Sequence, residues 1–132
     1  MNATDPEWKK RWPLKILLAD DNRVSQHVAW LVLENLGHTV DLAENGLIVL
    51  QLLENQTYDI IFMDLQMPEM DGLTATAEIV RRYPPEQRPK IIAYTGDEGS
   101  HRAECLAVGM DDFLRKPVKI EEFQAMLEKW GK

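Results

Sequence analysis

Short apolar runs that end on polar residues alternate along this chain with longer stretches of helical periodicity. Lys15 to Asp20 (KILLAD) is apolar and then acidic, which predicts a strand closing on Asp20. In Asn22 to Leu36, Val24, Val28, Leu31, Val32 and Leu36 recur at helical spacing as the expected core stripe, and Gly37 is a natural stop. Thr39 to Ala43 predicts a second strand. Glu44 to Glu54 predicts a second helix with Leu47, Leu50 and Leu53 on one side. Tyr58 to Asp64 reads as a third strand, Leu73 to Tyr83 as a helix closed by Pro84-Pro85, and Lys90 to Thr95 as a fourth strand. A short helix from about Ser100 to Val108, a strand from Asp111 to Arg115, and a last helix striped by Ile120, Phe123, Leu127 and Trp130 complete the pattern.

Strands alternating with helices imply right-handed βαβ units, a parallel sheet and an α/β fold. The first, third and fourth strands are apolar almost throughout, as expected where helices cover both faces. Ligands of such sheets bind beyond the carboxyl ends of the strands. Asp20 and Asp21 close the first strand, Asp64 the third, Thr95 the fourth and Lys116 the fifth, all at that end. Strand ends commonly meet polar loops, so any one of these residues alone means little. Together they place three carboxylates, a hydroxyl and an ammonium in one place.

Carboxylates held close repel, more strongly as the local dielectric falls. Raised pKa values relieve this, and so does a cation. Oxygen donors suit a hard ion, and Mg²⁺ binds through one or two carboxylates while keeping waters. Asp64 is then a candidate carboxylate nucleophile for a phosphoryl group, with Lys116 and the Thr95 hydroxyl facing its oxygens. His27, His38 and His101 are scattered and read as surface or helix-face residues.

The totals narrow the alternatives. A chain of 132 residues suits one domain. Its net charge of −7 argues against phosphate-backbone binding, so no direct nucleic-acid partner is expected. No apolar run approaches the roughly 20 residues of a membrane helix, and the start lacks a secretory signal. With one cysteine, Cys105, no internal disulfide forms; a cytoplasmic setting is expected.

The motifs ILLADDN, IIFMDLQMPEMDG, IIAYTG and FLRKP resemble those of response-regulator receiver domains, the phosphoacceptor modules of two-component and phosphorelay signalling. The resemblance covers about residues 15 to 131, leaving 1–14 as an N-terminal tail or linker and 15–132 as the receiver domain. It implies a flavodoxin-like three-layer sandwich with strand order 2-1-3-4-5. By the same resemblance Asp64 is the phosphorylated residue. Asp20 and Asp21 are metal-site acids, with Asp21 the more direct ligand, and Gln66 offers a backbone carbonyl to the Mg²⁺. Thr95 is the switch hydroxyl, Lys116 contacts the phosphate, and Pro117 follows a cis peptide bond.

Phe113 stands at the switch-aromatic position without a tyrosine hydroxyl, and reads equally well as a core aromatic. Gly96, where alanine is frequent, should leave the site more open. Gln66 and Asp97 occupy positions that tune phosphoryl lifetime. DLQMPEMDG with ADDN is most like receivers of hybrid histidine kinases.

The partners implied are a histidine kinase or a histidine phosphotransfer protein, docking near the first helix and the loop after Lys116. Ala29 and Leu33 are candidate contacts, or else part of the buried face. A dimer through helix 4, strand 5 and helix 5 is a further expectation. Trp8 and Trp12 are expected to pack the linker on the domain, and the abrupt start before the first strand fits a piece of a longer protein. Two rivals remain. A flavin carrier would share the sheet order but want a phosphate loop where ADDNRVS is acidic. A Mg²⁺-dependent aspartyl-phosphate phosphohydrolase would want a second acid where Gln66 stands.

Overall fold

The computed structural model describes residues 13–96 and 102–131. Trp8, Trp12, Asp97, Ser100 and His101 lie outside the described residues. Five strands, β1 (Lys15–Ala19), β2 (Thr39–Ala43), β3 (Ile60–Met63), β4 (Lys90–Thr95) and β5 (Asp112–Arg115), alternate with α1 (Arg23–Asn35), α2 (Gly46–Asn55), α3 (Gly72–Arg82), α4 (Arg102–Val108) and α5 (Ile120–Trp130). All pairings are parallel, and the strand order is β2-β1-β3-β4-β5. The parallel α/β sheet is the one expected from the alternation, and its flavodoxin-like strand order is the one the resemblance implied.

Most helix starts are set locally. Asn22, Asn45 and Asp71 each accept a backbone N–H from the first turn of α1, α2 and α3. Gly37, just after α1, takes a positive φ of 98°, which glycine adopts without steric cost.

Each sheet face carries its own core. Leu17, Ile61, Met63 and Ile91 pack with residues of α2, α3 and α4, including Val49, Ile79 and Cys105. Ile16, Leu18, Phe62 and Ile92 pack with Ala29 and Leu33 of α1 and Phe123 and Leu127 of α5. Central strands buried on both faces explain why β1, β3 and β4 read as nearly continuous apolar runs.

Three expectations about facing are corrected. On α1 the buried residues are Ala29 and Leu33, while Val24, Val28 and Leu31 of the expected core stripe are 75%, 55% and 42% exposed. The segment RVSQHVAWLVLEN carries apolar residues on two faces, and the sheet takes the one holding Ala29 and Leu33. On α2 and α5, Leu47 and Ile120 face outward, although Leu50, Phe123 and Leu127 are buried as expected. His38 is buried rather than on the surface: its Nδ1 accepts the Leu14 N–H at 3.0 Å. Burial lowers the His38 pKa, and the charge of Asp59 opposes that shift.

Candidate functional site

The parallel strands deliver the predicted residues to one edge because each is pinned just past its strand. The Asp20 N–H donates to the Ala43 carbonyl at 3.0 Å, the Asp64 N–H to Ala19 at 2.9 Å and the Lys116 N–H to Thr95 at 2.8 Å. These bonds extend the sheet ladder by one residue and fix where the side chains emerge. The Lys116–Pro117 peptide is cis.

Asp20, Asp21 and Asp64 each offer a carboxylate oxygen, and these atoms lie within 4.8 Å of one another. Asp20 and Asp64 are buried, and Asp21 is exposed. The Lys116 Nζ reaches into the cluster, 2.8 Å from Asp64 Oδ2 and 2.9 Å from Asp20 Oδ2. Burial raises the Asp64 pKa above the ordinary carboxylate range, and the bond from Lys116 opposes this. Burial also disfavours the Lys116 ammonium, but its bonds to Asp64 and Asp20 outweigh it and raise its pKa.

The loop after β3 folds back on the same point. The Gln66 N–H reaches Asp64 Oδ1 at 3.2 Å, and the Gly72 N–H donates to the Leu65 carbonyl at 3.1 Å. Glu69 turns this loop with a φ of 66°. Asp71 caps α3 through Thr74, so it belongs to the scaffold rather than to the acid cluster. Thr95 is buried at the end of β4. Gly96 has the Lys116 side chain as its nearest neighbour, with room for a methyl group. Phe113 is half-buried against the α2–α4 core.

Sequence reasoning missed two side chains behind Asp20. The Ser25 hydroxyl donates to Asp20 Oδ2 at 2.6 Å and lies 3.1 Å from the Tyr94 hydroxyl. Tyr94 is buried, which raises its pKa, and the Lys116 Nζ sits 4.5 Å from its ring centroid. The one sequence cue was a hydroxyl in the first turn of the helix following the acidic pair. Tyr94 reads only as another apolar strand residue.

The donor set tests the expected metal. Oxygen donors with neither thiolate nor imidazole among them fit Mg²⁺ and disfavour zinc. Asp20 is already committed: Oδ1 accepts the Asn22 N–H at 3.0 Å, and Oδ2 accepts Ser25 and Lys116. Asp64 carries one bond on each oxygen, from the Gln66 N–H and from Lys116, so the exposed Asp21 is the freest ligand of the three.

Over 117 residues the chain is 38% identical to the aerobic respiration control sensor protein ArcB of Escherichia coli, matching 89% of this chain and 15% of that protein. It is 39% identical over 132 aligned residues to histidine protein kinase 1 of Candida albicans, covering 92% of this chain and 5% of that one. The chain therefore spans only a small part of these relatives. Among solved structures, the receiver domain of sensor histidine kinase PA1611 from Pseudomonas aeruginosa, with a magnesium ion in its active site cleft, superposes with a TM-score of 0.81. It is 40% identical, and the match covers 89% of this chain and 97% of that one. The family model of the response regulator receiver domain matches residues 16–128, and the chain belongs to that family.

Proposed function

We propose that this chain accepts a phosphoryl group from a phosphohistidine onto Asp64, with Mg²⁺ held by Asp21, Asp64 and the Gln66 backbone carbonyl and supported by Asp20. The observation that carries the reading is the Lys116 ammonium bridging Asp64 and Asp20 beside a third carboxylate. A carboxylate oxygen of Asp64 attacks phosphorus. The new P–O bond forms as the P–N bond breaks, and the electron pair returns to the imidazole nitrogen of the donor. An ammonium has three N–H donors. Two are used here by carboxylates while the Nζ also lies over the Tyr94 ring, so the ammonium meets a phosphoryl oxygen on Asp64 by exchanging one of these contacts. The bound Mg²⁺ supplies positive charge against the carboxylates and the incoming oxygens.

Phosphorylation adds nearly two negative charges and new acceptor oxygens. Thr95 then turns toward them and Phe113 follows inward, altering the α4–β5–α5 face, where we place self-association. The donor is a histidine kinase or histidine phosphotransfer protein. It docks on the outward face of α1, where Val24, Val28 and Leu31 are exposed in the helix that begins beside Asp21.

Incubation with acetyl phosphate and Mg²⁺ tests the reading. Wild-type protein should gain one phosphoryl group labile to alkali and hydroxylamine, as an acyl phosphate is, and Asp64→Asn should gain none. Label retained on the Asp64→Asn protein would place the acceptor elsewhere.

A further inference from the structure

A closed ring of four side chains lies behind the acid cluster, and two of its members have no place in the phosphoryl chemistry. Ser25 Oγ is 2.6 Å from Asp20 Oδ2 and 3.1 Å from Tyr94 Oη, 69 positions away in the chain. The Lys116 Nζ is 2.9 Å from the same Asp20 oxygen and 4.5 Å from the centroid of the Tyr94 ring.

Proton directions follow from the chemistry of the groups. An ionised carboxylate only accepts, so the single Ser25 hydroxyl proton is committed to Asp20. Ser25 Oγ must then accept, and the Tyr94 hydroxyl donates to it, with the Ser25 backbone carbonyl at 3.5 Å as a weaker second acceptor. The ring reads Tyr94 to Ser25 to Asp20, and Lys116 returns from Asp20 to the face of Tyr94. Its last contact is a cation over an aromatic face, within the roughly 6 Å at which such attraction operates.

We propose that Ser25 and Tyr94 are positioning residues for the metal and phosphoryl site. They fix the rotation of the Asp20 carboxylate and hold the Lys116 ammonium over the acids. This rests on the phosphoacceptor reading above. Ser25 and Lys116 occupy Asp20 Oδ2 and the Asn22 N–H bonds Oδ1, so Asp20 supports bound metal mainly by charge and through water, in the rotamer that Ser25 helps to hold. Tyr94 is packed in the core with Phe123, so its hydroxyl presents a fixed donor to Ser25. The arrangement also links α1 to Lys116, because Ser25 stands one residue beyond Val24 of the exposed α1 face.

Mg²⁺ binding to the full chain, titrated calorimetrically without a phosphoryl donor, separates positioning from packing. Ser25→Ala should weaken Mg²⁺ about tenfold, the loss typical when a group supporting a metal ligand is removed. Tyr94→Phe, which removes only the hydroxyl one bond further from the metal, should weaken it measurably but less than Ser25→Ala does, and Ser25→Thr should restore near wild-type affinity. The double variant should be no worse than Ser25→Ala, since both changes act through one hydrogen-bonded chain. Thermal midpoints serve as the control. Variants that lose stability yet bind Mg²⁺ like the wild type overturn the proposal, as does a double variant whose loss is the product of the two. Wild-type protein that binds no Mg²⁺ overturns the phosphoacceptor reading along with it.

Discussion

The Lys116 ammonium stands 2.8 Å from the Asp64 carboxylate, although 52 positions of chain separate them. It is the fixed positive charge among three acids. Replacing it by the similarly long but neutral methionine leaves those acids facing one another with only mobile cations to screen them. Lys116→Met should therefore slow phosphoryl incorporation from acetyl phosphate by about a hundredfold, as when a fixed donor to developing negative charge is removed. Added Mg²⁺ should raise the thermal midpoint of the variant more than that of the wild type, because the ion replaces a missing charge. Incorporation at the wild-type rate would remove Lys116 from the chemistry.

The reversed facing of α1 separates docking from folding. Val28→Glu changes a side chain that is 55% exposed, so stability should stay within about 0.5 kcal/mol of wild type. Transfer from a phosphohistidine protein should fall by about tenfold or more if this face is the contact. Acetyl phosphate needs no docking surface, and labelling by it should be unchanged. Leu33→Ala should behave in the opposite way. It empties a fully buried position, costs about 2–5 kcal/mol, and affects both donors alike. Parallel urea titrations and transfer assays distinguish the two.

The alternation of strands and helices and the converging strand ends were legible from period and chain order, whereas the strand order was legible only through the resemblance to receiver domains. A run such as IIFMD has few alternatives once helices flank it on both sides. The facing of α1 was not legible, because Val24, Val28 and Leu31 fit helical spacing as well as Ala29 and Leu33 do. Only packing on the sheet, which buries Ala29 and Leu33, decides between them. His38 was misread for a related reason: a lone histidine gives no sign that the Leu14 N–H needs an acceptor. The contact of Ser25 with Tyr94 joins the first turn of α1 to a residue of β4 69 positions away, which no local pattern encodes.

Glycine at position 72 is required by close approach. A Cβ there would meet the Asp64 carbonyl oxygen at 2.1 Å and its carbon at 3.0 Å. Both are backbone atoms at the end of β3, so they yield only if Asp64 moves. Gly72→Ala should cost about 1–3 kcal/mol by overpacking and should slow phosphorylation as well. Gly96 differs. Its nearest atoms are the Lys116 Cβ and Cδ at 3.8 Å, an ordinary contact, and its φ is not in the left-handed region. Gly96→Ala should be tolerated, gaining about 0.4–1 kcal/mol through a less flexible unfolded chain. Chemical denaturation midpoints for the pair test both signs.

Asp112 ties the last helix to the edge of the sheet. Its Oδ2 accepts the Trp130 Nε1–H and the Lys129 ammonium, each at 2.9 Å, and its Oδ1 accepts the Phe113 N–H at 2.9 Å. Burial alone would raise its pKa, but these donors outweigh burial and hold it below the ordinary carboxylate value. A pKa depressed on folding stabilises above the unfolded value, near 3.9, and that contribution is lost as pH falls through the folded value. Asp112→Asn should therefore lose about 1–3 kcal/mol at neutral pH, with the gap to wild type closing below about pH 4. Lys129 is 61% exposed, so salt screens its share, whereas the neutral indole bond persists. Trp130→Phe should consequently cost about 1 kcal/mol at both low and high ionic strength. Urea unfolding of the two variants across pH and salt would show these dependences, and an Asp112→Asn penalty that stayed constant down to acid pH would mean the carboxylate charge contributes nothing to holding α5.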